Sequence, residues 1–332
     1  MKNKIFVTGA DGFIGANFVN YLIDKKYNVT ALCKYNSYNS KGWLEYIGQK
    51  KSKKLKIIFG DICDQNYMRS QTKNIDIIFN LAALIAIPHS YDAPESYLET
   101  NTKGTLNCLL AAKENKIDHF FQISTSEVYG SAKYIPIDED HPLNAQSPYA
   151  ASKIGADQLT LSFYKSYDLN VTILRPFNNY GKFQSARAII PTIITQFLNK
   201  SKNIKLGSIN TKRDFLYVED TVRGFELAIK KRKKIIGETI NFGTGKSVTI
   251  LNIIKTIQSI LKIKKKILFD RKRIRPKKSE VNHLLANNDK AKKLLGWKPK
   301  FSEKNQFKLS LKKTINWYKE NSNLFDSNKY NL

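Results

Sequence analysis

Residues Lys4–Phe18 read KIFVTGADGFIGANF. A short apolar run leads directly into Gly9, Gly12 and Gly15, and an amphipathic segment opens at Phe13. Glycines between a strand and a helix permit a tight turn, close approach of a pyrophosphate to the backbone and intimate helix packing, and the first helical amides are left to bind phosphate. The spacing GxxGxxG is weak evidence alone, but its place between a strand and a helix predicts a dinucleotide cradle made by Gly9, Gly12, Phe13, Ile14 and Gly15.

Outward from this turn, apolar runs alternate with amphipathic segments. NVTAL (28–32), LKIIF (55–59) and IDIIFNLAA (75–83) are followed by a helix from about Pro94 to Asn115. HFFQIST (119–125), a helix from near Ser147 and the strand NVTILRP (170–176) continue the pattern. Such alternation predicts βαβ units and an α/β fold, a Rossmann-type doubly wound parallel sheet. Further on, GETINFG (237–243) reads as a strand, TILNIIKTIQSIL (249–261) as a helix, and NDKAKKLLGWKP (288–299) as a capped helix stopped by Gly296 and Pro299. A last amphipathic helix spans about Glu303 to Glu320, and the tail NSNLFDSNKYNL is expected to fray. Residues 1–175 are therefore expected to be mainly an NAD(P)-binding domain and 176–332 mainly a smaller C-terminal substrate lobe, with about 213–243 returning to the core.

The 332-residue chain is 42% hydrophobic, enough for a large core, and carries a formal charge of +28. Its lysines are scattered over the chain apart from KKSKK (50–54), KKRKK (230–234) and the stretch 262–278. That pattern suits a solvated surface better than a nucleic-acid footprint, so no nucleic-acid partner is expected. Cys33, Cys63 and Cys108 form no CxxC pair, and His89, His119, His141 and His283 show no short ligand spacing, so no disulfide frame and no metal site are expected. The N-terminus runs straight into a strand, and no apolar run reaches the length of a bilayer span. A soluble, cytoplasmic protein without membrane contact is the expectation.

After the second predicted strand, ALCKYNSYNS (31–40) holds no acid to take the adenosine ribose hydroxyls. Lys34, Asn36 and Ser37 would suit a 2′-phosphate instead, so NAD and NADP both stay open. Asp61 and Ile62, in GDICD, fall where an adenine edge would lie, and Leu81, Ala82 and Ala83 would line the trough. SPYAASK (147–153) places Tyr149 and Lys153 four residues apart, on one helix face. A nearby ammonium lowers a phenol pKa, and a phenolate can take a proton from an alcohol as a nicotinamide removes hydride from the same carbon. Thr125, in QISTSEVYG (122–130), would orient the substrate oxygen, and Asn101 is expected to brace Lys153 through water.

On these motifs the chain resembles the extended short-chain dehydrogenase/reductase family, nucleotide-sugar branch, over nearly its whole length. The resemblance implies a retained nicotinamide and any of several reactions: epimerisation, dehydration or decarboxylation. Glu127 narrows them. Oxidation at C4 of a hexose acidifies the C5 proton, and a carboxylate can remove it and drive loss of the C6 hydroxyl, giving a 4-keto-6-deoxy sugar. A 4-epimerase needs no such base. The best-known hexose 4,6-dehydratases resemble Thr-Asp-Glu here, whereas this chain has Thr125-Ser126-Glu127, which also resembles the UDP-glucuronate decarboxylases, the alternative reading. Without that Asp, the proton for the departing hydroxyl would come from Glu127 or through Ser126 or water.

The stretches RPFNNYGKFQSARAIIPTIITQ (175–196), GSINTKRDFLYVEDTVRG (207–224), RIRPKKSEV (273–281) and YNSYNSKGWLEY (35–46) resemble nucleotide-N-acetylglucosamine 4,6-dehydratases of legionaminic-acid and related pathways. That resemblance implies a UDP- or GDP-linked substrate, gripped by Asn178, Arg187, Arg213 and Arg275, with His89, Ser90 and Glu280 as further contacts. In so lysine-rich a chain, the arginines at 175, 187, 213, 273 and 275 point to bidentate phosphate binding. A homodimer is implied too, through the helices bearing Leu106, Leu109, Leu110, Ala156, Leu159 and Phe163.

Overall fold

The structure, a computed structural model, describes residues 3–47, 53–274 and 276–325. The first half contains β1 (Lys4–Thr8), α1 (Phe13–Asp24), β2 (Asn28–Lys34), β3 (Leu55–Gly60), α2 (Gln65–Gln71), β4 (Ile77–Asn80), α3 (Ile87–Asp92), α4 (Pro94–Tyr97), α5 (Gly104–Glu114), β5 (His119–Ile123), α6 (Pro148–Tyr167) and β6 (Val171–Pro176). There follow β7 (Asn178–Tyr180), α7 (Ile189–Leu198), β8 (Asn203–Leu206), β9 (Lys212–Arg213), β10 (Phe215–Tyr217), α8 (Val218–Lys231), β11 (Thr239–Phe242), β12 (Val248–Thr249), α9 (Ile250–Leu261), β13 (Lys266–Phe269), α10 (Asp289–Leu295) and α11 (Lys304–Glu320).

Seven strands form one parallel sheet in the order β11-β6-β5-β4-β1-β2-β3. The order reverses between β1 and β4, so the carboxyl ends of these two strands open the crevice where doubly wound sheets bind ligands. β5 is buried at every position, as a strand covered on both faces should be. Helices cover both faces. On one, Phe18 of α1 packs against Phe79 and edge-on to Phe225 of α8. On the other, Cys108, Leu109, Ala111 and Ala112 of α5 and Phe163 of α6 close over Phe6, Ile78 and Phe120.

The segment from Pro94 to Asn115 is not one α-helix. Between α4 and α5 the chain widens into a π turn at Leu98–Lys103, which turns Asn101 inward to 1% exposure. Its amide donates to Leu84 O and Ser152 Oγ, both at 2.9 Å, and its oxygen accepts from Leu84 N at 2.8 Å. Those bonds satisfy a buried side chain at the expense of helical regularity.

β11 joins the sheet beside β6, while β7/β10, β8/β13 and β9/β12 form three two-stranded pairs outside it. Gly296 (φ +64°) ends α10, whose successor Trp297 is buried and donates from Nε1 to Asp220 O at 3.0 Å. The expected fraying of residues 321–332 does not begin at once. Phe325 stacks against Trp43 and meets Tyr318, and residues 326–332 lie outside the described ones. No helix among the described residues is long and apolar enough to cross a membrane.

Candidate active site

A cavity of about 910 Å³ is lined both by the Gly-rich turn and by residues of the second half of the chain. At one end the turn admits nothing larger than glycine at two points. A Cβ on Gly15 would lie 2.1 Å from Gly9 O, and Gly9, at φ +60°, lies so close to Ala82 that its own Cβ would be 2.8 Å from that backbone. Gly12 caps α1 with no side-chain hydrogen bond, and Gly12, Phe13, Ile14 and Gly15 all line the cavity. Those backbone groups fit a pyrophosphate, since a helix N-terminus offers unshared amides and a partial positive charge. Thr8 fixes the opposite wall: its Oγ1 accepts from Leu81 N and Ala82 N at 3.0 Å and donates to Asn80 Oδ1 at 2.8 Å. Leu81, Ala82 and Ala83 line the trough.

Where the adenosine end of a dinucleotide would lie, Lys34, Asp61 and Ile62 line the cavity together with Asp11 and Trp43. Lys34 Nζ is 3.9 Å from Asp61 Oδ2, and Asp61 Oδ1 accepts from Cys63 N at 2.9 Å. Burial raises the Asp11 carboxyl above its ordinary pKa, opposed by hydrogen bonds from its own amide and that of Lys34. Ser37 is exposed and does not line the cavity, and Asn36 spends its side chain on Lys34 O, Ser40 O and Ser40 N.

In the middle of the cavity stand Thr125, Ser126, Glu127, Tyr149 and Lys153. Thr125 caps the 3₁₀ turn Ser126–Tyr129 by accepting from Glu127 N at 3.2 Å. Ser147 caps α6 by accepting from Ala150 N, and Pro148 occupies the first turn where no amide is lost. That cap fixes the rotation of the helix that presents Tyr149 and Lys153. Burial raises the Tyr149 phenol, a hydrogen bond with Thr125 opposes the rise, and the Glu127 carboxylate adds to it. Glu127 and Tyr149 both line the cavity. Lys153 Nζ donates to Ile123 O at 2.6 Å, and burial lowers its pKa to about 8 against the pull of Asp157. Lys153 is not among the groups that shift Tyr149 here, contrary to the expectation that its ammonium lowers the phenol.

Beneath the 3₁₀ turn lies a buried network. Arg175 donates to Asp157 Oδ2 at 2.8 Å and to the Tyr129 hydroxyl at 2.7 Å. Ser124 Oγ donates to Asp157 Oδ2 at 2.6 Å, and the Tyr129 hydroxyl donates to Asn241 Oδ1 at 2.9 Å. Arg175 is thus a core residue that grips Asp157 and Tyr129, not the phosphate ligand its residue type suggested.

From the second half of the chain the cavity is lined by Asn178, Arg187, Arg213, Arg273 and Glu280, among others. Arg213 pairs with Glu280 at 3.1 Å, and Arg273 with Asp270 at 3.1 Å. Asn178 Oδ1 is buried without a hydrogen-bond partner among the described residues, an acceptor that a ligand donor would satisfy. Arg275 lies outside the described residues. Three expected contacts are not brought to the cavity wall. His89 is exposed beside Tyr97, Ser90 is buried with its hydroxyl spent on Ile87 O at 2.7 Å, and Asn101 is held by Leu84 and Ser152. Conversely, Asp11, Trp43 and Tyr91 belong to the wall and had no motif to mark them. No group of three or more His, Cys, Asp or Glu able to hold a metal occurs among the described residues.

A family described as GDP-mannose 4,6 dehydratase matches residues 6–308. The chain belongs to this family, the extended short-chain dehydrogenase/reductases that include nucleotide-sugar dehydratases and epimerases. The dTDP-D-glucose 4,6-dehydratase of Homo sapiens is 31% identical over 96% of this chain and 90% of that protein. Among solved structures, the dTDP-glucose 4,6-dehydratase DesIV of Streptomyces venezuelae, with NAD and TYD bound, superposes with a TM-score of 0.87 at 28% identity, covering 98% of this chain and all of that one. The UDP-N-acetylglucosamine 4-epimerase of Methanobrevibacter ruminantium M1, in complex with UDP-N-acetylmuramic acid, gives 0.84 at 31% identity over 97% of this chain and 100% of its own. The family thus contains both eliminating and epimerising members, and its function at that level is nucleotide-sugar dehydration or epimerisation.

Proposed function

We propose that the protein is a nucleotide-sugar 4,6-dehydratase acting on a UDP- or GDP-linked N-acetylglucosamine. The observation that carries this choice over epimerisation is the Glu127 carboxyl, which lines the cavity close enough to Tyr149 to raise its phenol. Gly9, Gly12, Phe13, Ile14 and Gly15 would hold the pyrophosphate of a nicotinamide dinucleotide, with Asp61, Ile62, Leu81, Ala82 and Ala83 along its length. A nicotinamide held there would supply a hydride acceptor for C4 oxidation and the hydride returned to C6. Tyr149, as phenolate, takes the proton from the C4 hydroxyl while Thr125 orients that oxygen, and Lys153, one turn further along α6, would contact the bound dinucleotide. Glu127 then removes the C5 proton, made acidic by the C4 ketone, and delivers it to the C6 hydroxyl, which leaves as water. The proton from O4 balances reprotonation at C5, so the net change is loss of one water.

Ser126 takes the place of an acidic residue in this scheme, so Glu127 serves as both base and acid. Asn178, Arg187, Arg213 and Glu280 would hold the diphosphate and nucleotide, as would Arg275. Leu106, Leu110 and Leu159 remain partly exposed on α5 and α6, which suits packing against a second copy of the chain. The Thr-Ser-Glu triplet itself favours a second reading, decarboxylation of a UDP-hexuronate.

Incubation with UDP- and GDP-N-acetylglucosamine, followed by mass spectrometry, should give a product lighter by about 18 mass units, one water, in either case. Release of carbon dioxide from UDP-glucuronate, with no water lost from the hexosamine nucleotides, would overturn dehydration.

A further inference from the structure

We infer that the Asp11 carboxylate is the acceptor for the adenosine ribose hydroxyls and makes this cavity select NAD over NADP. The inference rests on the reading of the cavity as a nicotinamide-dinucleotide site. In doubly wound dinucleotide folds the ribose acid comes from the end of the second strand. Here β2 ends in Lys34, and no acid follows before Glu45. Asp11 reaches the same place from the opposite direction. Its Oδ2 lies 3.3 Å from Lys34 N, so a carboxylate stands at the tip of β2 although the chain delivers it from the turn between β1 and α1.

The loop after β2 fixes this placement. Trp43 N donates to Asp11 O at 3.0 Å, and Gly42 (φ +54°) lies so close that a Cβ there would be 2.6 Å from Asp11 O and 2.9 Å from its Cβ. The carboxylate is held between strand tip and loop and lines the cavity.

The groups that would welcome a 2′-phosphate are otherwise engaged. Lys34 Nζ is drawn to Asp61 at 3.9 Å, Asn36 is bonded to backbone on both faces of its amide, and Ser37 is off the cavity wall. A 2′-phosphate, doubly charged and acceptor-only, would meet the Asp11 and Asp61 carboxylates on a wall that also holds Lys34. The ribose diol of NAD is instead a donor to groups that only accept.

Calorimetric titration of the dinucleotide-stripped full chain with NAD and NADP tests this directly. The parent protein should bind NAD about tenfold or more tighter than NADP, the worth of a hydrogen bond to a charged acceptor. Asp11→Asn, which keeps the shape but not the charge, should weaken NAD by a similar factor and bring the two dinucleotides to about equal affinity. Equal or tighter binding of NADP by the parent, or an unchanged ratio in Asp11→Asn, would overturn the inference and leave the dinucleotide reading standing. Binding of neither dinucleotide would overturn both. The parent alone fixes the direction of the preference, so the inference remains decidable even if the variant unfolds.

Discussion

Replacing Arg175 by methionine tests whether the buried network holds the candidate active site together. Arg175 and Asp157 have side chains 4% and 0% exposed, and their 2.8 Å contact is a fully interior ion pair. With Arg175 gone, Asp157 Oδ2 retains the Ser124 hydroxyl as its hydrogen-bond donor, and its Oδ1 already has none among the described residues. A charge left buried in this way costs about 3–5 kcal/mol, a large part of the roughly 5–15 kcal/mol that separates a native domain from its unfolded chain. Urea unfolding of Arg175→Met should show the midpoint falling at unchanged slope. Adding Asp157→Leu removes the stranded charge, so the double variant should recover most of the loss. Turnover in that double variant should nevertheless stay depressed, because, of the residues that bracket Thr125–Glu127, Ser124 has lost Asp157 and Tyr129 has lost Arg175. A single variant within about 1 kcal/mol of the parent, or a double variant no more stable than the single one, would refute this account.

Glu127→Gln should lower kcat by about 10²- to 10⁴-fold, the usual worth of a general base, while C4 oxidation persists. Reduced nicotinamide then accumulates in its near-ultraviolet band, and equal loss of oxidation and elimination would count against a separate role for this carboxyl. Lys153, held at about 8 by burial, is charged in the unfolded chain up to the ordinary lysine range. Its burial therefore opposes folding fully below about pH 8, and less as the pH rises from there toward that range. Dinucleotide-free Lys153→Met should be more stable than the parent at pH 7, by on the order of 3 kcal/mol. That advantage should shrink above pH 8 in thermal unfolding, and a constant gap would contradict the burial argument.

The parallel sheet was legible because each strand carries its own apolar run, and the Gly-rich turn because its glycines answer to local geometry. Tyr149 and Lys153 could be paired from spacing alone, since four residues on a helix fix a common face. What escaped was set by contacts between distant residues. The strands of β7/β10 and β9/β12 have two or three residues each and exist only through their partners. The π turn at 98–103 arises from bonds between Asn101, Leu84 and Ser152, which no periodicity records. Arg175 looked like a phosphate ligand because composition cannot distinguish a guanidinium facing a ligand from one facing Asp157. Asp11, lying between the glycines of a recognised motif, was hidden because its carboxylate acts at the tip of another strand.

The position of Trp43 bears on how the chain is made. This indole forms part of the cavity wall near the Gly-rich turn, is stacked on Phe183 at 5.4 Å, and meets Trp317 of α11 edge-on at 5.5 Å. Translation proceeds from the N-terminus, so the nascent βαβ units leave the ribosome well before α11 does. The cavity wall begun at residue 9 completes its aromatic backing only once residue 317 has emerged.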